Sequence, residues 1–548
     1  MIEGVVIAVT HLAALAYLYQ SEYEAFHILL ALLAWGLLNF VWLLILRRPA
    51  VSAALSFALI VGITVMSLFK WGVTYLTATF LDVLVIDSDT FAFLIQIFPR
   101  LRWWIALGVF IGIPALVLLW RFDRYRVPRL VSLAGIAFCI AAIVPMSLSK
   151  PELGYEPFQG VNHISNFTRS GVYAVSQLME TGWLDAARHV SDPVPMTTDA
   201  ACKPARKLPN IIVVLDESSF DAGTAPNIKL PEGYERHFTS FDGKRRKFEV
   251  ESTGGPTWYA EYNLLTGLSA RSYGNLKYYL TRISAGHITR GLPHALTRCG
   301  YATFTLYPAQ GDFLSARRFQ TGLGIEHFID QHGMGSDVEM REDSFFYDKT
   351  AELFARRKDD KPLFVFTYLT ANHFPWTDVF EPSLMPEWKA PGNTPEIDEY
   401  LRRQTMSAHD YRNFMERLKR DFPGEPFLIF RFGDHQPAIS SKMLEPDAAP
   451  GVVAHKMMLH DPLYFTTYYA IDTVNFDPAD ISSALEKLEG PYLPLLIQEA
   501  AGVPLDPSFV EQKKILRRCK GEFFDCHGGQ EARRFNRLLM DAGLIKGL

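Results

Sequence analysis

The sequence predicts two chemically different parts: an N-terminal α-helical membrane domain, then an α/β domain with a mostly parallel sheet covered by helices. Three observations carry this. Residues 1–149 hold long apolar runs with few charges. From residue 208 onward, short β-branched and aromatic runs alternate with helical patterns, as strand–helix units require. Two of those runs end in Asp216-Glu217 and Asp434-His435, where open α/β sheets place their ligand sites.

At 548 residues the chain exceeds one ordinary domain. Its net charge of −5 gives no nucleic-acid footprint. The candidate spans are Val5–Tyr19, Phe26–Leu46, Ala53–Phe69, Trp103–Trp120 and Leu130–Leu148, each near the ~20 residues a bilayer needs. The first could be a signal peptide, but its leading residues carry Glu3, no Lys or Arg, and no small-residue cleavage site follows; an uncleaved helix is expected. Arg47-Arg48 separates helices two and three, and Arg121, Arg124, Arg126 and Arg129 separate four and five. Placing both loops in the cytoplasm puts the C-terminal domain outside. The segment Lys70–Arg102, with aromatics and Asp82, Asp87 and Asp89, is expected on the outer surface as interfacial helices.

Residues 150–207 form a juxtamembrane connector with a helix over Ser165–His189, and 208–548 the second domain. Expected strands are Ile211–Leu215, Ala302–Leu306, Leu363–Leu369 and Phe427–Phe432. Expected helices are Trp258–Thr266, Leu292–Arg298, Ser344–Arg357 and Glu399–Arg420, with a helical tail from Ala484 interrupted at Cys519–Cys526. Of five cysteines, Cys139 falls in a membrane helix. Cys202, Cys299, Cys519 and Cys526 lie outside it, and an even number suits two disulfides in an oxidising compartment. Cys519 with Cys526 closes a short loop, leaving Cys202 with Cys299; four free thiols are the alternative.

The run Asn210–Leu215 reads as a central strand delivering carboxylates. Phe427–Phe432 repeats the logic before Asp434 and His435. Oxygen and imidazole at two strand ends suit one divalent metal. Asp216 and Glu217 point to opposite faces, and Glu217 is the expected ligand. Ser252-Thr-Gly-Gly-Pro-Thr-Trp258 is a Gly-rich turn entering a helix. Thr257 is either its N-cap or a metal-activated nucleophile. Thr370-Ala-Asn-His-Phe-Pro-Trp376 follows another apolar strand and offers His373 for phosphoryl binding or proton transfer. Arg317 and Arg318 could clamp a phosphate or be a solvated pair. His455 or His460 could reach the site; His237, His287, His294 and His409 receive no role. Lys244-Arg-Arg-Lys247 is a solvated turn or a contact for anionic headgroups.

Together these pieces resemble the membrane-bound branch of the alkaline phosphatase/sulfatase superfamily, which includes lipoteichoic acid synthases, phosphoglycerol transferases of periplasmic glucans and lipid A phosphoethanolamine transferases. The resemblance covers nearly the whole chain. The family's metal-ligand Glu followed by Ser or Thr falls on Glu217-Ser218, its threonine nucleophile on Thr257, its Asn-His-Phe/Tyr-Pro motif on Asn372–Pro375 and its Gly-Asp-His motif on Gly433–His435. Asp216 departs from the apolar or Gly residue usual before the Glu. The aromatic-plus-Arg headgroup site is matched only loosely, by Phe313, Arg317 and Arg318.

The resemblance implies a sulfatase-like fold, and a divalent metal on Glu217, Thr257, Asp434 and His435: manganese first, zinc or magnesium as alternatives. It further implies that Thr257 takes a phosphoglycerol group from phosphatidylglycerol and passes it to a periplasmic or surface glycan. His373 assists, and the chain sits in a bacterial inner membrane with its catalytic domain outside. Phosphoethanolamine transfer to lipid A or a glycan is the nearest rival, and a non-catalytic envelope scaffold the second. A sulfatase would need a Cys/Ser-x-Pro-x-Arg motif, which the Thr257 region lacks. A transporter fits poorly, since the spans carry few ionisable residues.

Overall fold

The structure, a computed structural model, describes residues 2–74, 77–85, 101–150, 160–190, 196, 202–338, 340–357 and 360–548. Two compact units divide at Glu180/Thr181.

In the first unit, the helices Ile2–Ser21, Glu24–Leu46, Pro49–Thr74, Leu101–Phe122 and Arg129–Ser149 are long and apolar enough to cross a membrane. Each runs slightly beyond its predicted limits, because hydropathy marks the apolar centre and not the polar last turn. The two arginine loops meet at one end of this bundle. Arg48 donates to the Asp123 carbonyl (2.7 Å) and lies 4.1 Å over the Trp120 ring; the Val127 N–H donates to the Arg47 carbonyl (3.0 Å). That is the same-side placement the charge pattern requires.

At the other end of helix Glu24–Leu46, the Glu22 carboxylate accepts the Ile164 and Ser165 N–H groups (2.8 and 3.3 Å). It thereby caps the helix His163–Glu180. That helix stops nine residues short of the predicted His189 (189 minus 180), because Gly182 takes a left-handed φ of +75°. Within Lys70–Arg102, a short helix Phe80–Val85 forms and Asp82 pairs with Lys70 (2.9 Å). Residues 86–100, with Asp87 and Asp89, lie outside the described residues.

The second unit is built on eight strands: β1 (Asn210–Asp216), β2 (Arg246–Glu249), β3 (Ala302–Leu306), β4 (His327–Ile329), β5 (Leu363–Tyr368), β6 (Phe427–Gly433), β7 (Thr466–Val474) and β8 (Lys487–Glu489). Their order is β4-β3-β5-β1-β6-β7-β2-β8. β7 pairs antiparallel with both neighbours; the other pairs are parallel. The four predicted strands are the contiguous centre β3-β5-β1-β6. The missed ones are only three or four residues long (β2, β4, β8) or, in β7, have a short apolar stretch bounded by Thr466-Thr467 and Asp472-Thr473, so no strand-length apolar run marks them.

Ile212, Val214, Val365 and Ile429 pack on Phe346, Phe354, Phe414 and Leu418 of the helices Asp343–Ala355 and Pro395–Asp421. Ile211, Val213 and Leu215 on the opposite face are equally buried, so the sheet is covered on both sides. Cys202–Cys299 and Cys519–Cys526 form the two disulfides (Cα–Cα 5.1 and 5.8 Å), and Cys139 is a buried free thiol.

Candidate active site

β1 lies between β5 and β6, with Leu215 opposite Tyr368 and Asp216 opposite Gly433. The residues just beyond these three ends therefore share one rim. Gly433 is obligatory on steric grounds: a Cβ there would come within 1.8 Å of the Ser219 carbonyl oxygen.

Strand alternation separates the two β1 carboxylates. Asp216 faces away from the rim and accepts from the Tyr468 hydroxyl and from His237 Nε2 (2.9 Å). Arg431 supports this layer from the His237 carbonyl (2.9 Å) and Asp472 (3.2 Å). Burial lowers the His237 pKa despite its carboxylate partner, which suits a neutral ring donating to Asp216. Asp216 is thus a buried anchor of the fold.

Glu217 turns into the rim. Its Oε1 accepts from Ser218 Oγ (2.8 Å) and lies 3.3 Å from His435 Nε2; its Oε2 accepts from Thr257 Oγ1 (3.1 Å). Ser218 adopts a left-handed φ of +53°, and its N–H donates to Asp434 Oδ1 (2.8 Å). Asp434 Oδ2 stands 3.3 Å from His435 Nε2. Thr257 opens the helix Thr257–Thr266 behind Pro256 in the N-cap position, so its hydroxyl is not spent capping its own helix.

This group has the form of a cation site. Ligand atoms of Glu217, Asp434 and His435 lie within 4.8 Å of one another. Asp434 Oδ2 and His435 Nε2 are buried without a hydrogen-bond partner, which a bound cation would satisfy. His435 Nδ1 donates to the Gln436 carbonyl (3.0 Å), which leaves Nε2 as the ligand nitrogen. Burial alone would raise Glu217, but the adjacent His435 imidazole, helped by His373, holds it below the usual carboxylate range. Burial and the Glu217 charge push Asp434 up. Burial works against charging His435, yet Asp434 and Glu217 raise it to about 9.

The β5 loop brings His373 near. Its Nδ1 donates to the Phe374 carbonyl (2.9 Å). Asn372 Nδ2 donates to the Ser218 carbonyl (3.3 Å), joining the β5 and β1 loops. Phe313 is half-buried, its ring centre 6.4 Å from that of Trp258, the residue after Thr257. Arg317 is engaged elsewhere, with the Asp330 carboxylate and the Phe328 carbonyl (3.0 Å). Arg318 is exposed and makes no described contact with the cluster. His455 is exposed and His460 stacks on Phe465 (3.7 Å). Arg245 and Arg246 of the basic run pair locally with Asp221 and Asp242.

Sequence reasoning placed Ser218 in a motif but not its left-handed turn, and it missed Arg403, which donates to the His373 carbonyl (2.8 Å). Glu399 and Arg403 are spaced i, i+4 on an expected helix, a signal that could have marked the pair.

A threonine hydroxyl, two carboxylates and an imidazole thus gather on the C-terminal rim of a covered parallel sheet, in an arrangement that could hold a metal ion beside a hydroxyl. Residues 209–469, within the second unit, match the family described as Sulfatase. The chain is similar to a Rhizobium meliloti (strain 1021) protein named for cyclic beta-1,2-glucan modification, 23% identical over 397 residues, covering 66% of this chain and 60% of that one. The match therefore spans less than two thirds of that relative. Among solved structures, Streptococcus pyogenes phosphoglycerol transferase GacH in complex with sn-glycerol-1-phosphate aligns at TM-score 0.46 and 15% identity, over 62% of this chain and 89% of that one. The lipooligosaccharide phosphoethanolamine transferase EptA from Neisseria meningitidis aligns at 0.43 and 17%, over 88% and 96%.

Proposed function

We propose that the chain transfers a phosphoglycerol headgroup from phosphatidylglycerol to a glycan outside a bacterial inner membrane, through a phosphothreonine at Thr257. The observation that carries this is the hydrogen bond from Thr257 Oγ1 to Glu217 within the Glu217–Asp434–His435 cluster. Glu217, Thr257, Asp434 and His435 would hold a divalent ion, manganese in this reading. Bound there, it would acidify the threonine hydroxyl and offset charge on the phosphoryl oxygens.

Thr257 Oγ1, oriented by Glu217, gives up its proton to solvent and attacks the headgroup phosphorus. The new P–O bond forms as the bond to the diacylglycerol oxygen breaks. His373 protonates that leaving oxygen; Nε2 serves, because Nδ1 is committed to the Phe374 carbonyl. A glycan hydroxyl then attacks the same phosphorus, giving its proton to the now neutral His373, and Thr257 leaves and takes up a proton from solvent to become the hydroxyl again. The five membrane-length helices keep the enzyme with a donor that never leaves the bilayer. The glucan-modifying relative supports a glycan acceptor.

The test is mass spectrometry of the purified protein after incubation with phosphatidylglycerol and manganese, beside phosphatidylethanolamine. A phosphoglycerol-sized increment on the Thr257 peptide supports the reading. An increment only with phosphatidylethanolamine moves the chain to phosphoethanolamine transfer. Absence of both the adduct and diacylglycerol release overturns the enzyme reading.

A further inference from the structure

Eleven large apolar side chains described in the second unit are exposed, and seven of them lie in two short segments. Phe374, Val379 and Leu384 follow β5; Val452, Met458, Leu459 and Leu463 follow β6. Single exposed apolar residues are ordinary on any surface, but concentration beside a site is not. These are the same two strands that deliver His373, Asp434 and His435; the first segment starts at Phe374, next to His373, and Gln436, next to His435, donates to the Leu463 carbonyl of the second (2.9 Å).

The segments form one platform. Trp376 and Trp388 of the first share an inner core with Val453, Met457, Tyr464 and Phe465 of the second. With those residues turned inward, the helix Pro450–Met458 and the turn after it leave Val452 and Leu459 outward, at 51% and 65% exposure; Val379 stands at 57%.

We propose that this platform is a membrane-docking surface, and that its partner is the glycerol and acyl zone of the bilayer that carries the lipid donor. The proposal rests on the lipid-donor reading above and names where the donor's apolar end goes. Two things select this occupant. The same chain carries five helices of membrane-crossing length, so a bilayer is present at high effective concentration. Charge does not explain the patch: exposed Asp378, Glu381 and Glu387 outnumber Lys389 in the first segment, so docking is apolar and insensitive to salt.

Two measurements on the full chain in phospholipid nanodiscs test it. A nitroxide is attached at Leu459→Cys in a Cys139→Ser background, and its collisions with oxygen and with a water-soluble nickel chelate are compared. Preferential quenching by oxygen is expected. Water-like quenching overturns the proposal, as does exclusion of both reagents, which would mean that protein covers the patch.

The double variant Val379→Ser/Leu459→Ser is then assayed on long-chain phosphatidylglycerol in the disc and on a soluble short-chain analogue with the same headgroup. A loss of about tenfold on the bilayer donor, with the soluble donor unchanged, is expected. Equal loss on both donors, or no loss on either, overturns it. If the unsubstituted protein cleaves neither donor, the functional reading fails, and the nitroxide result still decides docking.

Discussion

Arg403 donates from Nη1 to the backbone carbonyl of His373 (2.8 Å). The same guanidinium reaches the carbonyls of Pro375 (2.9 Å) and Asp378 (3.0 Å) and bonds the Glu399 carboxylate through Nε (2.6 Å). Its side chain is 1% exposed. A loop that carries a site histidine is thus tied to the helix Pro395–Asp421 by one fork-shaped cation.

Arg403→Ala is expected to lower kcat about tenfold or more through a misplaced His373. It should also destabilise the fold by about 1–3 kcal/mol, because the carbonyls of His373, Pro375 and Asp378 lose their donor, while Glu399 keeps Arg402 (2.7 Å). Arg403→Lys restores the charge without the fork, so it should recover stability more than kcat. Thermal melts beside steady-state headgroup release check this; parallel recovery of both would reduce Arg403 to a purely structural role.

Thr257→Ala should abolish headgroup transfer by about a thousandfold or more while leaving the melting temperature near that of the parent. Thr257→Ser should keep partial activity and accept the adduct on serine. Metal content by mass spectrometry separates this from Glu217→Gln, which should lose the ion itself.

Metal affinity should rise with pH. In the metal-free protein His435 is raised to about 9, and binding must displace its proton. Asp434 is also raised, to about 8, so the apparent association constant should climb by at least about tenfold per pH unit below that range, levelling above pH 9. Isothermal titration in buffers of different ionisation enthalpy would count the displaced protons; a pH-independent constant would contradict the assigned ligand.

Asp343 predicts a stabilising substitution. Burial, then the charges of Asp216 and Asp410, push its carboxyl from 3.8 to about 8, although Ala371 N–H donates to it (3.1 Å). Between those values the unfolded chain is ionised while the folded one holds the proton, so stability falls as pH rises from about 4 to 8. Asp343→Asn should remove that slope. It should melt higher than the parent at pH 8, by about 2 kcal/mol, and nearly equally at pH 4.

The Cys202–Cys299 bridge spans 97 residues and Cys519–Cys526 spans 7. Loop-closure entropy then assigns about 4–5 kcal/mol to the first and about 2.5 kcal/mol to the second. Paired Ser substitutions with denaturant titration measure the difference; a larger cost for the short loop would show that local packing, not chain entropy, governs it.

Much of the site was legible because its chemistry sits at the ends of the most apolar strands. Buried parallel strands read as continuous runs, and Glu217, His373, Asp434 and His435 follow three of them. Thr257 was legible from its Gly-rich turn beside those ends. Arg317 and Arg318 show the limit: a pair of arginines after a strand reads the same whether it faces a ligand or, as with Arg317, is claimed by Asp330. No local pattern distinguishes them, because the partner lies thirteen residues on. Asp216 was correctly separated from Glu217 by alternation, yet its partners His237 and Tyr468 come from segments 21 and 252 residues away, beyond any periodicity.

The hydrogen bond from the Ser218 N–H to Asp434 closes a separation of 216 residues. During synthesis the first half of this centre must therefore wait, unpaired, for the second to emerge. β1 would meanwhile present two bare edges, since both neighbours, β5 and β6, arrive later in the chain. Such a strand is prone to wrong pairings, so maturation of this fold depends on the rate at which its chain is delivered and on whatever shields that strand until residue 434 has emerged.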